Sequence, residues 1–227
     1  MSLDKTFLGW KKSLPRASLV KRDDYILARC AGRHVVHLGA CDAPSSLEKA
    51  SRGELLHQKL QGRCANLVGY DIDASSINLL RTRFGITDIV ARDLATVAPH
   101  ADPAGDIVVC ADIIEHVDNA GALLVSCNRM LSVGGDLLVS TIHALSFKHA
   151  LRTLLTGVEI VHPDHVSYYS YATLGVLLGR FGFEPTTFRY FTYPTGNRIG
   201  EALDGFFKFI PYSANGILVE AKKVRDV

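Results

Sequence analysis

Several features that would mark other functional classes are missing from this chain. Its 227 residues include five cysteines, an odd count. None is spaced as Cys-x-x-Cys, which argues against a disulfide framework or a structural zinc site and for reduced thiols. No uncharged apolar run approaches the roughly 18 residues that a membrane span needs. The opening MSLDKTFLGWKKS has neither the apolar core nor the cleavage site of a secretory signal. Basic residues do not gather either. The formal net charge is +2, and only Lys11-Lys12 and Lys21-Arg22 form small groups, well short of the footprint that nucleic acid requires. No row of stacking aromatics takes its place. The expectation is a cytoplasmic protein with a small-molecule partner, no nucleic acid and no membrane span; composition leaves its oligomeric state open.

What is present is a core. Hydrophobic residues make up 48% of the chain and charged residues 21%, enough for one full α/β domain over residues 1–227. Short apolar strands are expected at 33–38, 66–70, 86–91, 106–110 and 136–142, and helical patterns fall between them. Ser45 and Glu48 have capping-box spacing for a helix to about residue 61, and Asp73 can cap the next helix. Asp118 or Asn119 starts a helix with Leu123, Leu124, Cys127 and Leu131 on one stripe, and Ser170 caps a helix carrying Leu174 and Leu178. Alternation of this kind predicts right-handed βαβ units and a mostly parallel sheet. Two closely spaced strands, 183–193 and 214–222, predict an antiparallel pair at the sheet edge. The fold class is therefore a three-layer α/β/α Rossmann-like sandwich with a seven-stranded sheet. A helical segment over 1–32 precedes it, and inserts at 143–170 and 194–212 are expected over the acceptor side. The apolar run Phe206–Pro211 in the second insert reads by default as core or interface.

Ligands of such sheets bind beyond the carboxyl ends of the strands. Gly39, Asp71, Asp93 and Asp112 each stand at one of the first four strand ends. Gly39 permits close backbone approach. A carboxylate at Asp71 can accept hydrogen bonds from both hydroxyls of a ribose, and Asp93 can accept one from an adenine amine lying on Leu94 or Ile72. One site explains the four positions better than four coincidences.

These segments resemble the class I S-adenosylmethionine-dependent methyltransferases over roughly residues 30–192. The likeness is clearest in Leu67-Val68-Gly69-Tyr70-Asp71-Ile72-Asp73, in Asp106 through His116 with its Glu115-His116 pair, and in Met130 through Val139. The segment His162–Tyr169 with Leu174–Phe183 adds to it. The resemblance implies S-adenosylmethionine as cofactor. Gly39, Ala40 and Cys41 would border its methionine part, Asp71 and Ile72 its ribose and adenine, and Asp93 and Leu94 the adenine. Ala111, Asp112 and His116 would close the far side. The family's first motif, Asp/Glu-x-Gly-x-Gly-x-Gly, is altered here to His37, Gly39, Cys41 and Ala43. Neutral His37 can still accept a hydrogen bond, whereas protonated His37 would repel the cofactor's ammonium.

An oxygen or nitrogen acceptor must also lose a proton. His143, directly after the fifth strand, and His165 in the insert are the expected bases, with His162 a further candidate and Tyr168 and Tyr169 as walls. The alternative for His162-Pro163-Asp164-His165 is a structural hinge. Pro163 argues against a helix presenting both histidines to a metal, so no metal site is expected. His57, His100 and His149 read as surface or helix residues without a role. Two other functions compete. A non-catalytic module that binds the cofactor or acts as a scaffold would suit the altered glycine motif. A nicotinamide-dependent oxidoreductase would need a Gly-x-Gly-x-x-Gly turn, which Gly39–Pro44 lacks.

Overall fold

The computed structural model describes residues 13–14, 18–96, 105–193 and 210–227. His100 and residues 194–209 of the second expected insert, including Phe206 to Phe209, lie outside the described residues.

The elements run α1 (Arg22–Cys30), β1 (His34–Leu38), α2 (Ser46–Ser51), α3 (Leu56–Leu60), β2 (Asn66–Asp71), α4 (Ala74–Phe84), β3 (Ile89–Ala91), β4 (Gly105–Ala111), α5 (Ala120–Arg129), β5 (Leu131–Ile142), α6 (Phe147–Thr156), α7 (Tyr171–Arg180), β6 (Phe183–Phe191) and β7 (Gly216–Lys223). The strands form one seven-stranded sheet in the order β3-β2-β1-β4-β5-β7-β6. Strands β1 to β5 pair in parallel, while β7 runs antiparallel to both β5 and β6. The antiparallel pair is thus present, with the reversed strand one place in from the edge.

Central strands of a parallel sheet are buried on both faces, so they read as continuous apolar runs. Alternate residues then feed opposite layers. Val36, Leu38, Val108 and Cys110 pack with Leu123, Leu124 and Cys127 of α5 and Leu174 and Leu178 of α7. Val35, Ile107 and Val109 pack on the other face with Ile26, Leu27 and Cys30 of α1 and Leu56 and Leu60 of α3. This arrangement is the three-layer sandwich.

Local chemistry sets most boundaries. Asp73 caps α4 by accepting from the amides of Ser75 and Ser76, and α4 ends at left-handed Gly85. Asn119 caps α5 through the Ala122 amide. Ser170 and Thr173 complete a capping box on α7. Ser45 does not cap as its spacing suggests, and the helix expected to residue 61 breaks into α2 and α3. Strand β5 also starts at Leu131, ahead of the Gly134-Gly135 break expected to precede it; Gly134 bends it with φ +89°.

Candidate cofactor and acceptor site

Register brings the first four strand ends to one level. Leu38 aligns with Tyr70 and with Cys110, and Asp71 aligns with Ala91. Gly39, Asp71 and Ala111 therefore share one rim, with Asp93 two residues past it. Gly39 adopts φ +65°, and a β-carbon there would lie 2.7 Å from Ile113 Cδ1. Gly39→Ala is expected to destabilise the protein by about 1–3 kcal/mol, mainly through backbone strain. A urea midpoint matching that of the wild type would contradict this.

Asp71 is held from two sides. One carboxylate oxygen accepts the Cys41 amide at 2.8 Å and the other the Asp73 amide at 3.0 Å. The β2 tip is thereby tied to the loop after β1, and each oxygen keeps a free lone pair. Burial, with Asp71 next in importance, pushes the Cys41 thiol pKa far up, so it is not a nucleophile. Ile72, beside Asp71, leaves 72% of its surface open. Asp93 is exposed and accepts from the Ala95 amide at 2.9 Å. Leu94 differs from the expectation of a base platform. Its side chain is packed in the core, and its carbonyl accepts from Ser126 Oγ. Ile72 is the apolar surface available at this end.

At the β4 tip, Asp112 takes φ +54°, a conformation that aspartate tolerates better than most residues. Its side chain is not free. Ser140 and Tyr193 donate to Oδ1 at 2.8 and 2.9 Å, and Arg22 of α1 forms an ion pair with Oδ2. Burial opposes the charge on Arg22, but Asp112 and Asp23 outweigh it and raise its pKa. Arg22, Ser140 and Tyr193 were not legible in the sequence as site residues. Only the Lys21-Arg22 pair was visible, and nothing in it reveals a partner 90 residues away.

His37 is buried and stacks on His57 at a ring separation of 5.4 Å, their Nδ1 atoms 3.2 Å apart. His57 lies in α3, as one of its expected settings had it, but it is fully buried and packs on His37, which corrects its reading as a residue without a role. Its Nε2 faces Asp88 Oδ1 at 3.2 Å, off the ideal hydrogen-bond axis. That contact favours a proton on His57 Nε2, so His57 Nδ1 accepts from His37 and His37 Nε2 keeps a lone pair. Burial, then His57 and Arg22, hold the His37 pKa well below the usual range. His37 is neutral at physiological pH and can face an ammonium without repelling it.

On the acceptor side, His143 and His165 are not neighbours in role. His143 is buried, with Nδ1 3.0 Å from the Ala214 carbonyl and Nε2 unpartnered. His165 is half-buried and forms edge contacts with His116 and Tyr168. Tyr169 is buried and its strand bridge to His143 ties the insert to β5. Glu115 is only 1% exposed. Burial first, then the Asp112 carboxylate, pushes its pKa up to about 8.

The chain as a whole has relatives among known proteins. A family model described as a methyltransferase domain matches residues 48–187. The chain belongs to the class I S-adenosylmethionine-dependent methyltransferase family. A Mycolicibacterium smegmatis protein described as a probable S-adenosylmethionine-dependent methyltransferase is 31% identical over 157 residues, which cover 69% of this chain and 54% of that protein. A ubiquinone biosynthesis O-methyltransferase from Acinetobacter baylyi is 25% identical over 56% of this chain and 59% of its own length. The chain spans about half the length of the curated relatives it matches. A magnesium protoporphyrin IX methyltransferase from Synechocystis, solved with bound SAH, superposes with a TM-score of 0.56 at 14% identity, over 89% of this chain and 82% of that one. The N-methyltransferase NodS from Bradyrhizobium japonicum gives 0.53 at 12% identity, over 90% and 95%. Those two likenesses show the methyltransferase fold. The methyltransferase match begins at residue 48, after the altered loop His37–Ala43, so the departures in the first motif lie outside it.

Proposed function

We propose that this chain transfers the methyl group of S-adenosylmethionine to an oxygen or nitrogen of a small biosynthetic intermediate in the cytoplasm. The observation that carries the reading is the shared rim of Gly39, Asp71, Ala111 and, just beyond it, Asp93 across four adjacent strands. The residues fit the cofactor. Gly39 and the Ala40-Cys41 backbone give close approach, Asp71 has lone pairs for a ribose, Ile72 offers an apolar face, and Asp93 can take an adenine amine. At the methionine end, neutral His37 and the Asp112 carboxylate suit an ammonium, and Arg22 suits a carboxylate. His116 stands at the outer edge.

S-adenosylmethionine supplies an activated methyl group, and the hard chemistry is its own. The protein's tasks are to align the acceptor, exclude water and take up a proton. His165, half-open beside Tyr168, would receive that proton. His143 would do so through Nε2 from the buried side. Curated relatives named as O-methyltransferases support oxygen as the acceptor atom. Among the described residues no helix is long and apolar enough to cross a membrane.

The test is transfer of labelled methyl from S-adenosylmethionine into a metabolite pool. A labelled product is expected. Intact cofactor binding with no label in any pool would leave a binding module instead. In a second assay, Arg22→Met should weaken S-adenosylhomocysteine roughly 10-fold or more, the loss of a charge-assisted contact. Asp112 keeps Ser140 and Tyr193, so no carboxylate is orphaned. Calorimetry showing unchanged affinity would remove Arg22 from the methionine subsite.

A further inference from the structure

Three histidines from two separate segments meet outside the cofactor rim. His116 comes from the loop after β4, and His162 and His165 come from the connection between α6 and α7. Their ring centres lie 5.5, 4.5 and 5.1 Å apart. His116 stands edge-on to both others, at 78° and 74°. Pro163 does not prevent the approach as expected. The His165 amide donates to the His162 carbonyl at 3.0 Å, closing a β-turn with proline at its second position, where its fixed φ belongs. A turn thus does what a helix could not, bringing positions i and i+3 together.

One ring nitrogen from each histidine lies within 4.8 Å of the other two. Bonds of about 2.0–2.1 Å to imidazole place ligand nitrogens roughly 3.4 Å apart around a tetrahedral ion. Small rotations of these open side chains close that difference. The surroundings orient the rings. The Asp164 amide donates to His162 Nδ1 at 3.3 Å, a long bond that a metal on His162 displaces, because a ligating neutral imidazole has no second lone pair. His165 Nδ1 is buried without a partner. The Val166 amide donates to the Glu115 carbonyl at 2.9 Å, fixing the turn against the β4 loop. Core packing does not explain the cluster, because His116 and His162 are exposed. Ion pairing does not explain it either, since the nearest carboxylate contact is Asp164 at 3.8 Å from His162.

We propose that His116, His162 and His165 bind one divalent transition metal of the zinc class. Three imidazole nitrogens suit zinc, cobalt or nickel, whereas magnesium and calcium require oxygen ligands. Three protein ligands would leave a fourth position for water or for an oxygen or nitrogen of a small molecule. The ion would also pin the insert to the β4 loop. The site is built without reference to methyl transfer, but a metal-bound His165 has no lone pair left for a proton, so an occupied site leaves that duty to His143.

The experiment is calorimetric titration of the full chain with Zn²⁺, with Co²⁺ absorption as a second readout. One equivalent per chain is expected, with the visible bands of nitrogen-ligated Co²⁺ and no thiolate charge-transfer band. His116→Ala, His162→Ala and His165→Ala should each weaken Zn²⁺ at least 10-fold. His162→Asn, at an exposed position, keeps a polar side chain and guards against misfolding; its melting temperature should match that of the wild type. Absence of a stoichiometric site would overturn the proposal. So would a thiolate band, or affinity unchanged in the His162→Ala/His165→Ala double variant. S-adenosylhomocysteine binding on the same samples reports the cofactor reading separately.

Discussion

Asp71→Ala should weaken S-adenosylhomocysteine binding about 100-fold, the largest single effect expected at the cofactor rim. A carboxylate accepting from two ribose hydroxyls makes two charge-assisted hydrogen bonds, each worth roughly 1.5–3 kcal/mol. Losing about 3 kcal/mol of that corresponds to two decades in affinity. Asp71 also holds the Cys41 and Asp73 amides, so the alanine variant loosens the loop as well as removing the acceptor. Asp71→Asn separates the two effects. Its amide keeps one acceptor oxygen and nearly the same shape, so it preserves more of the loop while losing the charge. Calorimetry should rank the affinities as wild type, then asparagine, then alanine, with asparagine melting close to wild type. Affinity unchanged in the alanine variant would mean that the ribose does not sit at the β2 tip. The rim would then have to be read without its central contact.

Sequence reasoning reached Asp71 because two periodicities agree there. An apolar strand ends, a capping residue two positions on accounts for the next helix, and one carboxylate is left over. The same logic found Asp93 and Asp112, since strand ends are marked locally by the change from apolar to polar. It could not find the partners of Asp112. Arg22, Ser140 and Tyr193 come from α1, β5 and the end of β6, and side chains that meet only through the sheet leave no spacing behind. His57 was missed for a related reason. Its helix is short and mixed in character, so the sequence does not show that the ring turns inward onto His37. Pro163 misled in the opposite direction. It does forbid a helix, but a β-turn satisfies the same residues and brings His162 and His165 together. The reversed strand β7 was foreseen as part of an antiparallel pair; its place between β5 and β6 depends on long-range pairing that local patterns do not encode.

Glu115 should make the protein progressively less stable as pH rises through neutrality. Its carboxyl ionises at about 8 in the folded chain against an ordinary value of 4.5. The folded state therefore holds a proton that the unfolded state has released. Stability contributed by Glu115 is complete below about 4.5 and is lost as pH rises to about 8, at a slope of roughly 1.4 kcal/mol per unit. The cost is on the order of 3 kcal/mol at pH 7. His37 and His143 act in the other direction. Burial depresses both, so the unfolded chain binds their protons more readily, and stability rises with pH until about 6.5. Below that value the slopes oppose one another; above it Glu115 acts without that opposition. Glu115→Gln keeps the shape and removes the titration. Urea midpoints of wild type and variant should therefore diverge between pH 6.5 and 8.5, the variant becoming the more stable by a few kcal/mol. Parallel curves across that window would show that Glu115 ionises normally despite its burial. One strand tip thus carries the Arg22–Asp112 ion pair while the residue three positions on stays uncharged in the core.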